Sequence, residues 1–178
     1  MVCVAAVIVP LGVLVTATTG CAGLSEHDRA LTLASLDDAT NELARLSQAR
    51  AFEPTTAWTW SQTLQHGAQS IEYSMAGYPQ PRSELFQRTL GAAAIKVFAW
   101  HGRMTHDLGE PIPGAPALMA ATGVDLSTLR LQQAVDAYGQ WQGPLRPHFA
   151  YGDLDKAQYA HAHAMHLANH FSAFGRPT

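Results

Sequence analysis

Thiols are missing from almost the whole chain. The two cysteines, Cys3 and Cys21, both fall in the first 21 residues, so the body offers no disulfide, no thiolate metal site and no cysteine nucleophile. Charge is also scarce. Charged residues make up 14% of the 178 positions, against about 25% in an ordinary soluble protein. With a net charge of −3 and no run of lysine or arginine, the chain has no electrostatic footprint for a phosphate backbone, which argues against a nucleic-acid partner. No G-x-G-x-x-G, P-loop or G-x-S-x-G occurs, which removes the common nucleotide motifs and the serine-hydrolase elbow. Period-two alternation bounded by turn residues is absent too, so nothing reads as a strand.

The opening "MVCVAAVIVPLGVLVTATTGCAG" carries no charge in 23 residues. Its apolar part, Val4 to Val15, has the length of a signal-peptide core and is interrupted by Pro10 and Gly12, unlike a spanning helix of about 20 strongly apolar residues. Residues 1–23 are therefore expected to be an export signal. "TTGC" is similar to a bacterial lipobox, which would make Cys21 the lipidated residue and the protein a periplasmic or membrane-anchored lipoprotein. Cleavage after Gly23 by ordinary signal peptidase is the alternative. Residues 24–178 form one domain, long enough to bury a core without staples.

Helix punctuation divides that domain. Ser35 and Asp38 form a capping-box-like start for a helix over about 36 to 48, with Leu36, Leu43 and Leu46 on one side. Thr59 and Gln62 repeat the device before a second helix that reaches about Ala76, stops at Gly77, and carries Trp60, Leu64, Ala68 and Ile71 at helical spacing. A third opens after Pro81 with Leu85, Leu90, Ile95 and Phe98, and contains Gly91, which permits close packing at the expense of helix propensity. "THDLGEPIPGAPALMAATG" is a long Pro/Gly loop of the kind that often carries function. A fourth helix has Leu126, Leu129, Val135 and Tyr138 and ends by Gly143-Pro144. The last starts near Asp155 and stops at Gly175, with Pro177 beyond. These elements predict an all-α bundle of four principal helices plus one extra.

Four of the nine histidines sit in "HAHAMHLANHF", residues 161–171. Taking His161 as zero, a helix turns His163 to about 200°, His166 to about 140° and His170 to about 180°, so three share a face and His161 points elsewhere. His166 and His170 are an i, i+4 pair, near enough for two imidazoles to meet at one ion. That face also holds Tyr159, Leu167 and Phe174, so the rings look inward, and buried imidazoles need partners. A third ligand must come from another helix. His66 is the candidate, although a mid-helix histidine among apolar positions is more often a hydrogen-bonded core residue.

"WTWSQTLQHGAQSIEYSMAGYP" followed by "AHAMHLANHF", with "PIPGAP" and "RPHFAYGDL" between them, resembles the DinB-like superfamily of metal-binding four-helix bundles, in its often exported branch of unknown function, over about residues 30 to 175. The resemblance implies a divalent ion, zinc or nickel, held by one histidine of the second helix and an H-x-x-x-H pair of the last: His66, His166 and His170. It implies an unidentified small-molecule substrate, hydrolase or thiol-transferase chemistry, and leaves a homodimer open. Asn169 stands where some members carry a further histidine. Three imidazoles with an open fourth position suit a catalytic ion, whereas a fourth protein ligand such as His163 would close a structural site.

Several neighbours carry two readings each. His148 is a substrate or ligand-supporting contact, or a loop anchor after Pro147. Tyr73 returns to the face of His66 and either meets a ligand or packs in the core. Glu72 is a general base or a solvated carboxylate. His101 and His106, which bracket "GRMT", read as caps on the third helix's C-terminus, where positive charge is favoured, and carry no chemistry.

Overall fold

A computed structural model describes residues 28–48 and 56–175. The apolar leader and its Cys21 lie outside them. The described residues fold into five helices without strands: α1 (Leu36–Gln48), α2 (Trp60–Ala76), α3, α4 (Val124–Gln140) and α5 (Lys156–Phe171). α3 begins at Glu84–Phe86, widens to a π-helical turn at Gln87–Gly91 and continues as Ala92–His101. None of these helices is long and apolar enough to cross a membrane.

Local chemistry sets the helix starts. The Thr59 hydroxyl accepts from the Gln62 amide while the Gln62 side chain accepts from the Thr59 amide, and Asp155 and Gln158 repeat the exchange at α5. The Asp38 amide donates to Ser35 Oγ at 3.1 Å, and Asp38 Oδ2 accepts from the Ser35 amide at 3.0 Å. Each pair satisfies donors that a helix start leaves free.

α2 packs chiefly along α4, and α5 lies against α1, α2 and α3. The core lies between them, with Leu43 and Leu46 of α1, Leu64, Ala68 and Ile71 of α2, Leu131 and Tyr138 of α4, and Tyr159, Leu167 and Phe171 of α5. Two faces differ from the expectation. Leu126 and Leu129 of α4 are exposed, and its buried row is Ser127, Leu131, Ala134 and Tyr138. The physical reason is a polar contact: Ser127 Oγ meets Ser61 Oγ of α2 at 2.8 Å, so a small hydroxyl turns inward where the helices approach. On α3, Leu85 and Leu90 are exposed and only Gly91 is buried. A Cβ at Gly91 would lie 1.9 Å from the Ala150 carbonyl oxygen, so the missing side chain lets the π-helical turn rest directly on the loop between α4 and α5.

α2 is buried nearly all round, and its glutamines hold the long loop after α3. Gln65 exchanges two hydrogen bonds with the backbone of Met119, each 3.0 Å, and Gln69 Nε2 donates to the Pro116 carbonyl at 3.1 Å. Ser61 Oγ donates to the Thr122 carbonyl at 2.8 Å. Polar side chains on a buried helix need such partners, and here they tie the second half of the long loop to α2.

Candidate metal centre

His66 on α2 and His166 and His170 on α5 converge. One ring nitrogen from each lies within 4.8 Å of the others, and the two Nε2 atoms of His66 and His166 are 3.1 Å apart. Two nitrogens bound at about 2.0–2.1 Å to one tetrahedral ion would be separated by about 3.3 Å, so the His66–His166 pair is spaced as ligands sharing an ion are, and the third ring is close enough to join them. Close helix approach makes it possible. Gly67, beside His66, has no side chain where a Cβ would stand 2.7 Å from Leu167 Cδ2 of α5.

The rings are held from behind. His166 Nδ1 lies 3.0 Å from Ser70 Oγ, one helical turn after His66. When Nδ1 donates to that hydroxyl, the lone pair stays on Nε2, which faces His66. Trp58 stacks on His170 with ring centres 5.8 Å apart and planes 9° from parallel, and also touches His66. Burial, followed by the charge of His106, pushes His66 down to about 3. Burial and the neighbouring imidazoles hold His166 and His170 well below the ordinary histidine value. All three are neutral at pH 7, as metal ligands must be.

An ion suits this donor set on a second ground. His170 Nε2 is buried without a hydrogen-bond partner, and an orphaned buried nitrogen costs about 1–3 kcal/mol. Neutral imidazoles suit zinc, nickel, copper and iron rather than calcium or magnesium.

His66 and His166 sit at the wall of a cavity of about 210 Å³, whose other sides include Met104, Ile112, Phe149 and Tyr151, with Arg82 and Glu110 supplying one charge of each sign. His163 lies on the same wall but outside the three-ring cluster, between Tyr138 and Tyr159. Its Nε2 is buried without a partner, and burial lowers its pKa to about 3. His148 anchors its loop, as one of its two readings has it, and lines the cavity. Nδ1 accepts from the Ala150 and Tyr151 amides at 3.1 and 3.3 Å, anchoring the loop, while the ring stacks on Tyr151 at the cavity. Tyr73 packs on Tyr78 and is not part of the cavity wall. The Glu72 carboxylate pairs bidentately with Arg130 of α4 at 2.9 and 2.6 Å, also away from the cavity.

Two residues of the site carry no sequence signal strong enough to find them. Trp58 precedes α2 in the loop. His106, read as a helix cap, is carried by the long loop to the cluster, with its ring centre 5.0 Å from those of both His166 and His170. The "HDLGEPIPGAP" stretch signalled function only by its length.

Fold and cluster together define an all-helical domain whose three histidines lie close enough to hold a metal ion. Residues 25–177 match the family described as a protein of unknown function (DUF1569), and the chain belongs to that family. No curated protein and no solved structure was found to match it.

Proposed function

We propose that the protein is a DinB-like four-helix bundle of the cell envelope that binds one divalent ion, zinc or nickel, through His66, His166 and His170, and acts on a small molecule as a metal-dependent hydrolase or transferase. The observation that carries this is the meeting of three neutral imidazoles from two helices beside a cavity. When bound, such an ion would polarise a substrate oxygen and acidify a water. The chain's own residues do the rest. Ser70 fixes the ring orientation of His166, Trp58 covers His170, and the apolar wall of Met104, Ile112 and Phe149 keeps bulk water from the bound molecule. His163 adds an imidazole to that wall, between Tyr138 and Tyr159. The apolar leader and the lipobox-like "TTGC" support the placement in the envelope.

Untagged protein, purified without added metal and analysed for bound elements, is expected to carry about one divalent ion per chain, and the His166→Ala/His170→Ala double variant almost none. Equal, negligible metal in both overturns the proposal. Labelled palmitate that is incorporated by the native chain and lost in Cys21→Ser supports the anchor; label that persists rules out Cys21.

A further inference from the structure

The loop between α3 and α4 brings a fourth imidazole to the cluster. The ring centres of His66, His166 and His170 are 4.7 to 5.0 Å apart, and His106 stands 5.0 Å from both His166 and His170. By ring spacing it stands next to the group, although its ring nitrogens are not among those that lie within 4.8 Å of one another, so a short movement of its loop side chain is needed for it to reach the ion. Imidazoles radiating from one tetrahedral ion, with bonds of about 2.0–2.1 Å, have ring centres about 5 Å apart.

Its protonation is also fixed. His106 Nδ1 lies 2.9 Å from the Asp107 carbonyl oxygen. A carbonyl only accepts, so Nδ1 carries the hydrogen, and in the neutral ring the lone pair is on Nε2. Metal-bound histidines characteristically donate the opposite nitrogen to a carbonyl or carboxylate in this way.

What separates His106 from the other three is its support. They project from helices, and His66 and His170 are buried; His106 is exposed and lies on a loop outside any helix. Its ring reaches the cavity wall alongside His66 and His166.

We propose that His106 is a displaceable fourth ligand, which occupies the ion's remaining position when the cavity is empty and leaves it to an incoming ligand. This rests on the three-histidine metal centre proposed above and adds a control on access to it. Such a site is closed at rest, as in structural zinc proteins, and opens by moving one loop side chain rather than a helix.

Cobalt(II)-loaded protein tests this through imidazole counting by electron–nuclear spectroscopy, with azide as the incoming ligand. The expected counts are four imidazoles in the native protein, three after azide is added, and three in His106→Ala. Azide is expected to bind His106→Ala at least about tenfold more tightly, because no side chain competes for the position. His101→Ala, altering the exposed histidine at the end of α3, is expected to match the native protein in both measurements. Three imidazoles in the native protein, whatever the azide affinity of His106→Ala, overturn the fourth-ligand proposal while leaving the centre intact. Failure of the native protein to take up cobalt overturns the centre itself. Because the native count alone decides between three and four ligands, the test survives a poorly folded variant.

Discussion

Replacing Ser70 by alanine removes one atom that touches the cluster and is expected to weaken metal binding without removing a ligand. Ser70 Oγ is the neighbour of His166 Nδ1 at 3.0 Å, and no other hydrogen bond of the described residues holds that nitrogen. In the metal-free protein the loss leaves a buried ring nitrogen unpaired, which costs about 1–3 kcal/mol and lowers the melting temperature by about 2–4 °C for each kcal/mol in a chain of this size. In the loaded protein the ring loses the bond that selects its tautomer and orientation, and affinity falls about 10- to 100-fold, or about 1.4 to 2.7 kcal/mol. Competition against a chromophoric zinc chelator at pH 7 measures this directly. Ser74→Ala is the control: Ser74 is fully buried one turn further along α2, and its hydroxyl donates to the Ile71 carbonyl at 2.6 Å. Loss of stability at both positions with loss of affinity only at Ser70 is the expected pattern. Zinc affinity in Ser70→Ala within twofold of the native value would refute the orienting role.

Acid is expected to unfold the metal-free protein early. Burial, aided at His148 by the charge of His163, lowers both residues to about 3, so they are neutral in the fold, while the unfolded chain takes up protons near the ordinary value of about 6.5. Their contribution is complete above that value and is lost as pH falls from it toward 3, at roughly 1 kcal/mol per pH unit for each ring; a urea midpoint unchanged between pH 7 and 5 would contradict this. Gly91→Ala gains about 1 kcal/mol of helix propensity but drives a methyl into the Ala150 carbonyl, and overpacking against backbone costs about 1–3 kcal/mol or more, so a lower urea midpoint is expected and a higher one would refute the contact. Glu72→Gln breaks the pair with Arg130, which is about a third exposed on both sides; the expected loss is below about 1 kcal/mol in chemical denaturation, with metal content unchanged.

What could be read from sequence follows the range of the forces involved. Helix starts are local: Thr59 with Gln62 and Asp155 with Gln158 are decided within four residues, and these starts fall where their chemistry puts them. The inward face of α2 follows from spacing alone, since Leu64, Ala68 and Ile71 are all buried. The face of α4 does not, because its apolar spacing nominates Leu126 and Leu129 while the hydroxyl pair Ser61–Ser127 brings a different row inward. The His166 and His170 pair is legible from its i, i+4 interval. His66 is nominated by the need for a ligand from a second helix, and the resemblance in motif order is what sets it above a core histidine, since one mid-helix histidine has no spacing signal of its own. His106 required the tertiary path of a loop whose course depends on Gln65 and Gln69 bonding backbone carbonyls about 50 residues away.

The same glutamines give the unpaired imidazole nitrogens their meaning. On the buried helix α2, Ser61, Gln65, Gln69, Ser70 and Ser74 have partners, whereas the Thr63 hydroxyl and His66 Nδ1 have none. Their satisfaction is costly in sequence terms, because it commits three α2 side chains, Ser61, Gln65 and Gln69, and the loop to one arrangement. Beside them His66 Nδ1, His163 Nε2 and His170 Nε2 stand buried and without a partner, the first and last of these in the three-ring cluster. Each costs about 1–3 kcal/mol as it stands, whereas leucine or methionine at any of these positions would cost nothing of the kind. Within the three-ring cluster an ion would supply the interaction that the buried nitrogen of His170 lacks, and that is the physical case for a metal there.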